Sequence, residues 1–173
     1  MSSSSSGRPR AILRPSLLQR LLAGEDAGRP SQDLRVGLRE LRDEVLRDLG
    51  LLLNTRATDV GKLAPYPEVA DSVLAYGMPD VSSYSPSSDD DIEALMSLIA
   101  ETIRRFEPRL DPNTVRVERA TDLNPLSGGV DSVNSRSFRI AAMLHVEPIR
   151  ERIQFDTRVD LDSGTVHVED AGA

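Results

Sequence analysis

Residues 88–119 read SDDDIEALMSLIAETIRRFEPRLDPNTVRVER, and the spacing of the apolar residues changes inside this stretch. Ile92, Leu95, Met96, Ile99, Ile103 and Phe106 recur at intervals of three and four, so they share one face of an α-helix. Ser88 is placed to cap that helix, and Asp89, Asp90 and Asp91 fill its first turn, where negative charge complements the helix dipole. Arg104 and Arg105 sit near the opposite end, where positive charge does the same. Pro108 disfavours helical geometry in the residue before it, which predicts a stop near Phe106 or Glu107. Beyond the proline, Val115 and Val117 alternate with charged residues, the period of a strand.

Upstream of this stretch the pattern is helical. Leu34, Leu38, Leu41, Val45, Leu49 and Leu52 form one apolar stripe, which predicts a helix from about Gln32 to Leu53 with Ser31 or Asp33 as its cap. Leu17, Leu18, Leu21 and Leu22 predict a short amphipathic helix over 15–23. Another short helix is expected over 68–75, ending at Gly77 as its C-cap. Downstream the period is two. Phe138, Ile140, Ala142, Leu144 and Val146 alternate with polar residues, as do Ile153, Phe155, Thr157, Val159 and Leu161, then Val166 and Val168. Asp162-Ser163-Gly164 suits a hairpin turn, and 124–135 reads as a long loop. Helices followed by strands predict an α+β fold, with N-terminal helices packed on a mainly antiparallel sheet of about four strands. A polar leader over 1–14, one domain over 15–169 and a tail over 170–173 complete the expected organisation.

Composition narrows the function. The 173 residues are 39% apolar but only 3% aromatic, so the core must be built from aliphatic side chains and little material exists for stacking bases or sugars. The absence of cysteine excludes disulfides, thiolate metal sites and a cysteine nucleophile. A net charge of −7 disfavours a general nucleic-acid binder. No stretch reaches the roughly 18 apolar residues of a membrane span, and no secretory h-region follows the leader. His145 and His167 fall at outward positions of their strands, and no further metal ligands gather near them in sequence. Ser127-Gly128-Gly129 lacks the Lys-Ser/Thr of a phosphate loop. No cofactor or metal site is expected.

Three segments are neither ordinary core nor ordinary loop: Leu52-Leu53-Asn54-Thr55-Arg56, Ser72–Asp80 (SVLAYGMPD), and Phe106-Glu107-Pro108-Arg109-Leu110. In the last, a proline holds a carboxylate and a guanidinium on either side of a stiff bend, so the pair loses little entropy on docking. The plain structural alternative is a helix stop closed by a local salt bridge. In this order and at these separations, the three segments resemble the type VI secretion baseplate subunit TssE, of the lysozyme-related, GPW-like family of small wedge proteins from contractile phage baseplates. The likeness extends over roughly 15–169. It departs mildly at Ala75-Tyr76-Gly77-Met78, where Asn-Tyr-Gly-Leu is the expected pattern.

The resemblance implies a structural protein and no enzyme. Glu107, Pro108 and Arg109 would contact the core bundle of the larger wedge subunits (TssF and TssG, with TssK), and Asn54, Thr55 and Arg56 would either cap the long helix and brace the loop beneath that turn or touch a partner. The sheet would offer a strand template to the sheath subunits TssB and TssC. The subunit would be monomeric alone, one copy per wedge, cytoplasmic, in a baseplate docked at the inner membrane complex without inserting into it. Read from the residues, an open edge near the last strands would carry Asp156, Arg158 and Asp160, charges that discourage indiscriminate pairing; the same charges would equally serve to solvate an outer sheet face. Either Glu107→Ala or Arg109→Ala is expected to leave the fold intact and prevent baseplate assembly. Two alternatives remain: a peptidoglycan hydrolase and a generic cytosolic adaptor. Glycoside cleavage needs two carboxylates about 5–10 Å apart across a sugar cleft. Glu107 has Glu101 and Asp111 near it in sequence, but a cation two residues away favours the ionised form, the opposite of what a general acid requires.

Overall fold

A computed structural model describes residues 34–58, 65–70, 72–120, 134–147 and 149–171. The expected leader, the helix over 15–23, the caps Ser31 and Asp33 and nearly all of the loop over 124–135, with Ser127-Gly128-Gly129, lie outside the described residues. The chain divides into two compact units, Met1–Glu44 and Val45–Ala173, with the boundary inside the first described helix.

That helix, α1, spans Leu34–Asn54. In the first unit, Leu38 and Leu41 of the apolar stripe are half-buried. In the second, Val45, Leu49, Leu52 and Leu53 are fully buried. The short helix expected over 68–75 is two pieces. A single turn, α2, spans Pro67–Ala70, and a 3-10 turn spans Val73–Ala75. Ser72 starts the second piece by accepting a hydrogen bond from the Leu74 amide through its hydroxyl, at 3.2 Å. Helix α3, Asp89–Phe106, starts as expected: the Ser88 hydroxyl accepts from the Asp91 N–H at 3.2 Å. It ends with the Glu107 amide donating to the Ile103 carbonyl at 2.9 Å.

The strands are β1 (Arg116–Arg119), β2 (Ser135–Val146), β3 (Ile149–Asp160) and β4 (Val166–Asp170). They form one antiparallel meander in the order β1-β2-β3-β4, so the expected α+β arrangement is observed. β3 begins earlier than its alternation suggested, because Val146 pairs with Ile149 across a connection of only two residues. Period-two geometry sends Phe138, Ile140, Ala142, Leu144, Ile153, Phe155, Thr157 and Val159 to one buried face. These residues form the core together with Ile92, Leu95, Ile99 and Ile103 of α3 and the buried part of α1. Arg139, Gln154, Asp156 and Arg158 stand on the other face, where Arg139 Nε meets Asp156 Oδ1 at 2.8 Å. His145 and His167 are exposed.

Candidate interaction site

In the second unit one backbone bridge and one ring contact join the three segments singled out in the sequence, while a second bridge and an ion-pair cluster tie the last of them to β2 and α1. Glu107 is the residue after the last turn of α3, and the chain reverses at Pro108. Both oxygens of its carboxylate accept from Arg109: Oε1 from Nε at 2.7 Å and from the Arg109 amide at 3.1 Å, Oε2 from Nη2 at 2.6 Å. The guanidinium also donates to Asp48 Oδ2 of α1 at 2.6 Å. Glu107 is buried at 5% side-chain exposure and Arg109 lies at 23%, whereas Pro108 is exposed. Burial alone would push the Arg109 guanidinium down; the hydrogen bonds and charge of Glu107, then of Asp48, outweigh it and hold Arg109 firmly protonated.

Main-chain bonds fix this turn to the sheet. The His145 amide donates to the Arg109 carbonyl at 2.8 Å and the Asp111 amide to the Met143 carbonyl at 2.9 Å, around an antiparallel bridge between Leu110 and Leu144. Leu110 thus occupies, beside the far end of β2, the position that β1 occupies beside its near end. The geometry is that of a structural clamp, so Glu107→Ala and Arg109→Ala are expected to lower stability in addition to any effect on docking. Removing one partner of a buried pair strands the other charge, at a cost of about 3–5 kcal/mol.

The middle segment meets the other two. Tyr76 packs edge-on against Phe106, with ring centroids 5.4 Å apart. Its hydroxyl is pushed up by burial, then by the charges of Asp48 and Glu107, against a smaller opposing effect of Arg109. Gly77 has φ of +113°. A Cβ there would collide with the Thr55 carbonyl oxygen and lie 2.8 Å from its carbon. The close approach allows a parallel bridge: the Met78 amide donates to the Thr55 carbonyl and the Ala57 amide to the Met78 carbonyl, both at 2.8 Å. Gly77 therefore serves this crossing; it is not the C-cap of a continuous helix.

Asn54 and its neighbours have separate tasks. The Asn54 carboxamide donates to the Gly50 carbonyl at 2.7 Å and to the Val166 carbonyl at 2.6 Å, and accepts from the Val166 amide at 2.9 Å. It thus pairs with the first residue of β4 as a strand would. Thr55 bonds its hydroxyl to the Leu51 carbonyl at 2.7 Å. Arg56 lies 3.7 Å from Asp80, whose carboxyl is held below the usual range chiefly by hydrogen bonds from Ser82 and only weakly by Arg56. These residues line a small cleft of about 140 Å³ with Met78, Val81 and the β3–β4 turn.

Asp156, Arg158 and Asp160 are not at an edge. They stand on β3, between β2 and β4, and the register gives their main-chain groups to β4. The Asp160 amide, for example, donates to the Thr165 carbonyl at 2.9 Å. Among the described residues the outer strands are β1 and β4. Sequence reasoning missed Asp48, a charged residue on a helix that carries many such residues on its outside; it placed the open edge near the last two strands but set its charges on β3, since ladder order is a tertiary property.

Among the described residues no helix is long and apolar enough to cross a membrane, and no group of three or more His, Asp or Glu gathers as metal ligands. No curated protein and no solved structure matches the chain. The model of one family, described as baseplate wedge protein gp25, matches residues 39–149, a span that holds all of the clamp, the Gly77 crossing and Asn54. With that match covering well over half of its length, the chain belongs to the baseplate wedge protein gp25 family.

Proposed function

We propose that this chain is the TssE-like structural subunit of a type VI secretion baseplate, that it acts without catalysis, and that it starts the sheath by strand addition. The observation that carries this reading is the outer edge of β4. With Asp160 bonded to Thr165 and Ala171 to Gln154, the odd-numbered residues of β4 face β3 and the even-numbered ones face outward. At Val168 the amide and carbonyl consequently point away from the sheet with no partner among the described residues, a ready template for an incoming strand of a sheath subunit, TssB or TssC. Pro108 and the outer face of Arg109 form the docking turn for the wedge subunits TssF, TssG and TssK, held in shape by the clamp behind it. In this role the protein works in the cytoplasm, on a baseplate seated at the inner membrane complex.

A hydrolytic role fits poorly. Both oxygens of Glu107 are engaged by Arg109, so the carboxylate offers no free position to a glycosidic oxygen.

The test uses cells lacking the gene, carrying a fluorescent sheath subunit and complemented with wild type or Val168→Pro. Proline removes the outward N–H and is tolerated at a sheet edge. Wild type should restore extended sheaths, and Val168→Pro, once shown to be folded, should not. Normal sheath numbers with the proline variant would overturn the templating role.

A further inference from the structure

The outer face of the sheet carries a row of charges that ends on two acids. At one level of the register Glu118 of β1, Arg139 of β2, Asp156 of β3 and Glu169 of β4 stand side by side. Arg139 serves Asp156, through Nε at 2.8 Å and Nη2 at 3.3 Å. Glu169 is exposed and makes no hydrogen bond or ion pair among the described residues. It stands directly across the ladder from Asp156, where like charges are unfavourable. Local rules are broken most readily at functional positions. We propose that Glu169 determines which strand β4 accepts: the strand that bonds to Val168 carries a lysine or arginine opposite Glu169.

The inference rests on strand addition at β4, as proposed above, and adds the chemistry of the strand. The amide and carbonyl of Glu169 point inward to β3, whereas those of Val168 point outward. An antiparallel strand bonded to Val168 therefore sets its next residue against Glu169 in a non-hydrogen-bonded pair. That is the closer of the two kinds of pair, with Cα atoms about 4.5 Å apart. A cation at this point is attracted by Glu169 and, one strand further in, by Asp156. A carboxylate there would be the third acid in succession. Arg139 already answers Asp156, so Glu169 is the acid left to attract a cation from outside the sheet. Exposed ion pairs are weak, so this contact selects the strand while main-chain bonds and packing hold it.

The experiment complements cells lacking the gene, which carry a fluorescent sheath subunit, with Glu169→Gln, Glu169→Lys or Val168→Pro. Glu169→Lys should cut the number of extended sheaths at least threefold, and Glu169→Gln by less. The purified Glu169→Lys protein should melt no lower than wild type, because it sets a cation opposite Asp156. Changing the lysines and arginines of the sheath subunit's pairing strand to glutamate, one at a time, should restore sheaths to Glu169→Lys at one position. A purely structural role for Glu169 would give no such rescue. Wild-type sheath numbers with Glu169→Lys, a lowered melting temperature or the absence of any rescuing change would each overturn the inference. Val168→Pro separates this failure from that of strand addition itself. If it blocks sheaths while Glu169→Lys does not, only the charge selection falls; if neither blocks them, both fall. Self-association of the purified wild-type protein that Val168→Pro abolishes would make a second copy the occupant and overturn the inference as well.

Discussion

One arginine faces two carboxylates where α3 ends. Arg109 neutralises Glu107 in a buried position and reaches Asp48 on a different helix, so it links residues 61 apart in the chain. The sequence shows the Glu-Pro-Arg bend plainly, and the structural alternative to docking, a helix stop with its own salt bridge, is the geometry observed. What the sequence hides is the burial of Glu107, which depends on where Leu110 meets Leu144. Arg109→Ala should lower stability by about 3 kcal/mol, toward the low end for a broken buried pair because the guanidinium is partly exposed. Arg109→Lys should recover only part of the loss, since an ammonium cannot bridge both oxygens of Glu107 in a planar fork. Urea denaturation of the two variants measures both. Tyr76 adds a pH dependence. Its folded pKa is raised from 10.0, chiefly by burial, so the unfolded chain gives up the proton first. The stability it contributes is present in full below about pH 10 and is lost as pH climbs through the raised value. Denaturation midpoints should therefore fall above that pH in wild type and fall less steeply in Tyr76→Phe.

At the level of elements, local signals served well where local chemistry decides. The Ser88 cap, the acidic first turn and the Pro108 stop fix both ends of α3, and alternation fixes which face of β2 and β3 is buried. Two elements departed from expectation for tertiary reasons. The segment expected as one helix over 68–75 breaks because Ser72 restarts the chain as a 3-10 turn, and Gly77 is needed for the crossing with Thr55. The start of β3 was obscured because Arg150, Glu151 and Arg152 interrupt the apolar alternation there. The crossing makes a strong claim about Gly77. Both its positive φ and the contact with the Thr55 carbonyl forbid a side chain, so Gly77→Ala should cost roughly 3 kcal/mol and weaken the Arg56–Met78 bridge. Thermal melting reports the first effect, and exchange at the Met78 and Ala57 amides reports the second.

Across the molecule, one helix serves both ends of the proposed function. Asp48 and Asn54 are six residues apart on α1, about 9 Å along its axis. The first braces the turn assigned to the wedge, and the second caps the strand assigned to the sheath. The sequence made the family resemblance legible through three short segments because those segments are what hold this arrangement together. It could not show that Asp156, Arg158 and Asp160 belong to an interior strand, since ladder order follows from pairing across the whole sheet. The most direct measurement is cryo-microscopy of an assembled baseplate carrying its first sheath ring, at a resolution that traces side chains. The account predicts a sheath strand hydrogen-bonded to β4 from Val168 onward, with Asn54 still seated on Val166. A β4 edge left bare, with the sheath anchored on another surface, would contradict it.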